Sequence, residues 1–210
     1  MHTKEFDEKK KQILDISEFL FFTKGYEVTS VNTILKELGI AKGTFYYYFD
    51  SKEEVMDSVI TRIINSELKF VTEEIINNKD MTAVEKLIAA LFRRPPVFGS
   101  QKEVVEKLYD VNNALMKQRA MQNSLELSCP VYAEIIIEGN EKGEFSSDHP
   151  LEDIQFLIAG MQTVYDISSL KDSKVQLNID SVIDTMIKVL NIDETKVNRT
   201  SLKALVVQKV

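Results

Sequence analysis

Glycine and proline are scarce, seven and four in 210 residues. A protein assembled from many short strands and tight turns needs more of both, so the scarcity favours helices. No apolar run reaches the roughly 18 residues that a membrane span requires, and the first residues, MHTKEFDEKKKQ, are dense in charge and lack an apolar signal core. A cytoplasmic chain with no membrane partner is expected. The single cysteine, Cys129, cannot form an internal disulfide, and on an apolar helix it reads as small core filler rather than nucleophile or sensor. Histidine is nearly as rare: His2 sits in a terminus expected to fray, and His149 precedes Pro150 at a helix start. Neither is near Cys129 in sequence, so no nucleophile, base or metal-ligand constellation emerges. We therefore expect no enzyme activity, no metal and no cofactor.

What is present suits a folded protein: 44% hydrophobic and 28% charged residues supply cores for one or two domains. The formal net charge is −7, but residues 1–52 hold eight basic and eight acidic side chains, leaving 18 and 25 in residues 53–210. The acid lies downstream. A neutral N-terminal region with clustered lysines can meet phosphates locally while the rest keeps the chain soluble.

The pattern along the chain is helical throughout. Residues 8–24 place Ile13, Ser17, Leu20 and Phe21 on one face, widened by Leu14 and Ile16, and Gly25 follows where a helix ends. A second, short helix has Thr29 or Ser30 as its N-cap, Val31, Ile34, Leu35 and Leu38 as its apolar stripe, and Gly39 as its stop. Only Ile40 and Ala41 separate Gly39 from a third helix beginning near Lys42, and two short helices joined by a tight Gly-containing turn form a helix-turn-helix. Capping-box spacings recur at Ser51/Glu54, Thr82/Glu85 and Ser100/Glu103. Pro130 and Pro150 suit the first turns of two later helices, and NIDSVIDTMIKVLNI closes the periodic part. No segment alternates with period two, so the fold class is all-α.

The third helix contains FYYYF, five consecutive aromatic side chains at 45–49. At about 100° per residue, with Phe45 at zero, Phe49 falls near 40° and Tyr48 near 300°, whereas Gly43, Tyr47 and Thr44 fall near 160°, 200° and 260° and Tyr46 lies at the margin near 100°. One reading packs all five between helices. The other assigns Phe45, Tyr48 and Phe49 to the core and offers the opposite face, flanked by Lys42 and Lys52, to DNA. The second helix of a helix-turn-helix enters the major groove, hydroxyls and ammonium groups donate to phosphate oxygens, and Gly43 permits close approach to a base edge.

Residues 13–62 resemble the DNA-binding domain of the tetracycline-repressor (TetR) family of bacterial transcriptional regulators. The stretch ILDISEFLFFTKGYEVTSVNTILKELGIAKGTFYYYFDSKEEVMDSVI keeps Phe21, Gly25, Thr29, Ile34, Gly39, Gly43, Thr44, Tyr46, Phe49, Lys52 and Glu54 in the family register. The resemblance implies that Thr29, Ser30, Tyr46, Tyr47 and Lys52 hold phosphates, and that Asn32, Lys42, Gly43 and Thr44 lie closest to bases. Asn32 stands where a longer basic residue is common, and Leu35 where alanine is common. These departures leave the operator sequence open.

Beyond residue 65 the resemblance fades to a helical order similar to the family's regulatory domain. It implies domains at 1–55 (DNA binding) and 56–192 (regulatory, ligand-binding and dimerising); the tail at 193–210 has no matching family counterpart and is open between a helix at the dimer edge and disorder. The segment GEFSSDHPLEDIQFLIAGM and the following amphipathic helix look like a dimerisation unit, and Ala159 and Gly160 permit close helix approach. Candidate effector contacts are Phe92, Tyr109, Asn113, Met116, Tyr132, Ile136, Met161 and Tyr165, residues that suit an adaptable apolar cavity and an ordinary core equally well. The expected function is a dimeric, effector-responsive regulator, a repressor binding a palindromic DNA operator; the alternative is a constitutive helix-turn-helix module without ligand response.

Overall fold

The computed structural model describes residues 2–92, 113–168 and 173–207, and no strand occurs among them. Packing divides these into two units, one of residues 2–63 and 113–123, the other of 64–92, 124–168 and 173–207.

In the first unit, α1 (His2–Lys24) starts ahead of the expected residue 8 and ends at Gly25, whose φ of 101° is one that side chains rarely adopt. Its buried stripe of Ile13, Ser17, Leu20 and Phe21 is the one the spacing predicts. α2 (Val31–Leu38) and α3 (Lys42–Tyr48) follow, and α4 (Lys52–Val71) buries Val55, Met56, Val59 and Ile60. Ser51 caps α4 by accepting from Glu54 N–H at 3.0 Å, while the Glu54 carboxylate reaches back to Asp50 N–H at 2.6 Å. The cut expected after residue 55 does not divide the packing. Arg62 pairs with Asp15 at 2.6 Å and with Glu18, tying the next two turns of α4 to α1. Nor does α6 (Ala114–Asn123) belong to the second unit, as the expected boundaries would have it.

The second unit is built on α5 (Ala83–Phe92), α7 (Cys129–Glu141), α8 (Pro150–Ser168), α9 (Ile179–Val189) and α10 (Arg199–Val207). Thr82 and Glu85 form a reciprocal capping box at the start of α5, with Thr82 N–H on the Glu85 carboxylate at 2.9 Å and Glu85 N–H on the Thr82 hydroxyl at 3.2 Å. Leu87, Ile88, Ile135, Ile136, Ile154, Ile183 and Met186 share one core. Gly139 is obligatory there, because a Cβ would stand 2.1 Å from Cδ2 of the buried Phe145 ring. Pro130 lies in the first turn of α7, where the sequence places it, and α7 follows directly on a π-helical segment, Ser124–Ser128. Residues 193–207 are no unstructured tail, for a 3₁₀ turn (Glu194–Lys196) leads into α10, which packs on α5 and puts Leu202 into the core. Cys129 is buried, which pushes its thiol up to about 11 and leaves it protonated and inert. The segment expected to begin at Ser100 and Glu103 lies outside the described residues.

Candidate nucleic-acid interface

Of the two possible caps for α2, Ser30 serves: its hydroxyl accepts from Thr33 N–H at 3.1 Å. The helix stops because Gly39 adopts the left-handed conformation (φ 63°), letting Ile40 N–H close on the Leu35 carbonyl at 3.2 Å. The chain re-enters helix at Lys42, and α3 ends when Phe49 turns extended. The helix-turn-helix geometry thus rests on one glycine and a two-residue link.

α3 separates its aromatics by face. Phe45 and Phe49 are buried and Tyr48 is half-buried, whereas Tyr46 and Tyr47 are 43% and 64% exposed. Lys42 and Gly43 are exposed beside them, Thr44 is half-exposed, and a Cβ at Gly43 would meet nothing within 4 Å. Neither exposed phenol swings freely. Tyr46 stands edge-on to Phe45 at 5.3 Å, with the Lys42 ammonium 5.7 Å from its ring centroid. Tyr47 stands edge-on to Tyr48 at 5.0 Å and to Phe6 of α1 at 5.7 Å. The result is a surface of three hydroxyls, one ammonium and one bare backbone position, suited to phosphates and base edges.

The flanking residues divide. Ser30 and Asn32 are exposed near the start of α2, open to a partner. Thr29 is 1% exposed and donates its hydroxyl to the Gly25 carbonyl at 2.7 Å. Its side chain is therefore part of the turn before α2 and presents no donor outward. Lys52 donates to the carbonyls of Tyr26 at 2.9 Å and Thr29 at 3.0 Å, and its ammonium lies 4.0 Å from the Tyr26 ring centroid. Burial lowers the pKa of this lysine, and the two carbonyls fix its direction. Two of its three donors hold the loop, leaving one for a phosphate. Tyr26 is buried, and burial together with the neighbouring Glu53 carboxylate raises its phenol well above the usual range.

The expected effector contacts fall in both units. Tyr132 and Ile136 lie in the core of the second unit, with Phe92 and Met161 packed against it. Tyr165 is exposed on α8 outside that cluster, and Tyr109 lies outside the described residues. Met116 and Asn113 belong to the first unit, both fully buried. The Asn113 amide is committed to backbone: Oδ1 accepts from Tyr26 N–H at 2.7 Å and Nδ2 donates to the Phe21 carbonyl at 3.3 Å. In this arrangement the amide anchors the turn before α2. Sequence reasoning missed Phe6, although it heads the same stripe as Ile13 and Ser17, at seven and eleven residues' separation on one helical face. Among the described residues, no cluster of His, Cys, Asp and Glu suits a metal ion, and no helix is long and apolar enough to cross a membrane.

Comparison with known proteins matches residues 13–59 to the family described as bacterial regulatory proteins, tetR family, and residues 96–183 to the tetracyclin repressor-like C-terminal domain. An HTH-type transcriptional regulator from the lacX 3′ region of Lactococcus lactis is 53% identical over 51 residues, 24% of this chain. That match spans only 26% of the relative's length. The fatty acid metabolism regulator protein of Bacillus subtilis is 24% identical over 83% of this chain and 95% of its own. Among solved structures, RolR in complex with resorcinol has the same fold, with a TM-score of 0.66 at 12% identity over 98% of this chain and 96% of that one. Two family domains in the family order, on an all-helical chain whose second short helix carries the exposed polar aromatic face, place the chain in the tetracycline-repressor (TetR) family of bacterial regulatory proteins.

Proposed function

We propose that the protein is a transcriptional repressor that grips a palindromic DNA operator as a homodimer and releases it when a small molecule fills the second unit. The observation that carries this is the outward face of α3, where Lys42, Gly43, Thr44, Tyr46 and Tyr47 are presented while Phe45 and Phe49 anchor the helix. Tyr46, Tyr47, Ser30 and the remaining donor of Lys52 would hold phosphates. Asn32, Lys42, Gly43 and Thr44 would face base edges. Two such helices reading half-sites one turn apart, roughly 34–36 Å, require twofold symmetry. The surface of α8 supports a dimer: Phe156 is 80% exposed and shares a helical face with Gly160 and Ile167, both also exposed. A large aromatic and a side-chain-free position together on one stripe suit a helix of a second copy.

Release follows from linkage, since a ligand shifts an equilibrium only by its differential affinity for two states. Phe92, Tyr132, Ile136 and Met161 make an apolar molecule the fitting effector. Because the Bacillus subtilis relative regulates fatty acid metabolism, fatty acids of graded length are the first probes. The role is cytoplasmic and needs no catalytic centre.

The reading is tested by gel shift on the DNA flanking the protein's own gene, across a salt series. Salt-sensitive binding to an imperfect palindrome supports it; absence of such binding defeats it. A thermal-shift screen separates it from a constitutive DNA-binding module, because an effector stabilises the folded state by mass action whereas the module responds to none.

A further inference from the structure

Tyr47 is the most exposed large aromatic among the described residues of the first unit, and an exposed phenol ordinarily samples several rotamers that it must give up on meeting a phosphate. Here it is boxed. Tyr48 stands edge-on to it at 5.0 Å and 86°, and Phe6 stands edge-on at 5.7 Å and 78°. Phe6 in turn lies against Tyr48 at 4.7 Å, so the three rings form one cluster in which Phe6 is the only member from outside α3. One helical turn further along α1, the Lys10 ammonium sits 5.2 Å from the Phe49 ring centroid. The early turns of α1 are thus fastened to α3 along its aromatic row. Edge-to-face pairs are worth more than the area they bury, and this pair spends that preference on a side chain left mostly in solvent.

We propose that Phe6 is a positioning residue for DNA binding: it holds the Tyr47 ring in the orientation that presents its hydroxyl to a phosphate. The inference rests on Tyr47 contacting DNA, as proposed above. Without Phe6, the Tyr47 ring keeps only its Tyr48 neighbour among these rings, and ordering it on DNA carries an entropic cost. Phe6 itself touches no DNA in this account.

The test is a double-mutant cycle on the full chain with Phe6→Ala, Tyr47→Ala and both together, reading affinity for a fluorescently labelled random-sequence duplex at low salt. A phosphate contact needs no operator. Phe6→Ala should weaken binding about two- to tenfold per recognition helix, the range one aromatic pair supplies, and should have no further effect in the Tyr47→Ala background. Phe6→Tyr, which keeps a ring, should restore binding. In the free protein, Phe6→Ala should also remove Phe6's share of the ring-current displacement of the Tyr47 ring protons, read by NMR, leaving that of Tyr48. Equal losses from Phe6→Ala in both backgrounds would show that Phe6 acts on stability or on DNA directly, and would overturn the inference. Unchanged affinity in Phe6→Ala beside a weakened Tyr47→Ala would overturn this inference alone. An unaffected Tyr47→Ala, or no binding to any duplex, would take down the DNA reading with it.

Discussion

Replacing Asn113 with leucine probes how the turn that precedes α2 is held. The substitution keeps the volume of a site only 1% exposed and removes both hydrogen bonds to the main chain. Tyr26 N–H loses its 2.7 Å acceptor, whereas the Phe21 carbonyl retains Gly25 N–H at 3.0 Å. One buried donor is orphaned, costing about 1–3 kcal/mol, and one further bond is lost at about 1 kcal/mol, for a total of about 2–4 kcal/mol. A control comes from two residues further on, in the first turn of α6: Leu115 N–H donates to the exposed Glu27 carboxylate at 3.1 Å, and Glu27→Ala should cost under about 1 kcal/mol because water replaces it. Urea unfolding followed by circular dichroism, fitted with separate transitions if the two units melt apart, reads both values. Amide exchange at Tyr26 should accelerate only in Asn113→Leu. A loss below about 0.5 kcal/mol in Asn113→Leu, with exchange at Tyr26 unchanged, would refute the reasoning, since a donor with its acceptor removed cannot be that cheap.

Further outcomes follow from the second unit. Gly139→Ala forces the Phe145 ring from its place, because the added carbon would stand 2.1 Å from Cδ2, and should lower stability by about 1–3 kcal/mol in thermal unfolding. Lys86 is 4% exposed, with its ammonium 2.9 and 3.0 Å from the two Glu138 oxygens. Burial favours the neutral Glu138 acid, but hydrogen bonds from Lys142 and Lys86 outweigh it and hold the carboxyl below its usual 4.5. The sign is that of a depressed acid: stability from this group is complete above about pH 4.5 and drains as pH falls through the lower folded value. Glu138→Gln should therefore flatten the acid limb of the stability profile. It should also cost about 3 kcal/mol at neutral pH by stranding the Lys86 charge, a loss that Lys86→Met in the same chain largely recovers.

The faces of α3 were readable because seven residues at 100° per residue leave few choices, and Phe45 and Phe49 took the core face that the angle assigned. Gly39, Ser30 and the Thr82/Glu85 box were readable for a similar reason: each acts on backbone within a few residues. What escaped depends on distant partners. Lys52 has a side chain that suits a phosphate, and only the approach of α4 to the loop decides that it closes on two carbonyls; the Thr29 hydroxyl, by contrast, closes locally on the Gly25 carbonyl four residues back. Phe6 was hidden by the charged residues around it, and its ring partners lie some forty residues away. The polar run DETKVNRTS masked α10, whose packing depends on Leu202 and on α5. Asn113, which follows Asn112 and precedes Ala114, Leu115 and Met116, fits a ligand contact and a backbone anchor equally well until the Tyr26 amide comes into view.

The central claim is that the exposed face of α3 meets DNA. It is tested most directly by the salt dependence of binding to the DNA flanking the gene, in the wild type and in Tyr47→Ala and Thr44→Ala. If each half-site neutralises about four phosphates, the log-log slope should be roughly −7. Tyr47→Ala should weaken binding to every duplex, while Thr44→Ala should chiefly narrow the gap between the palindrome and random sequence. Binding that is insensitive to salt, or that neither substitution changes, would contradict the claim.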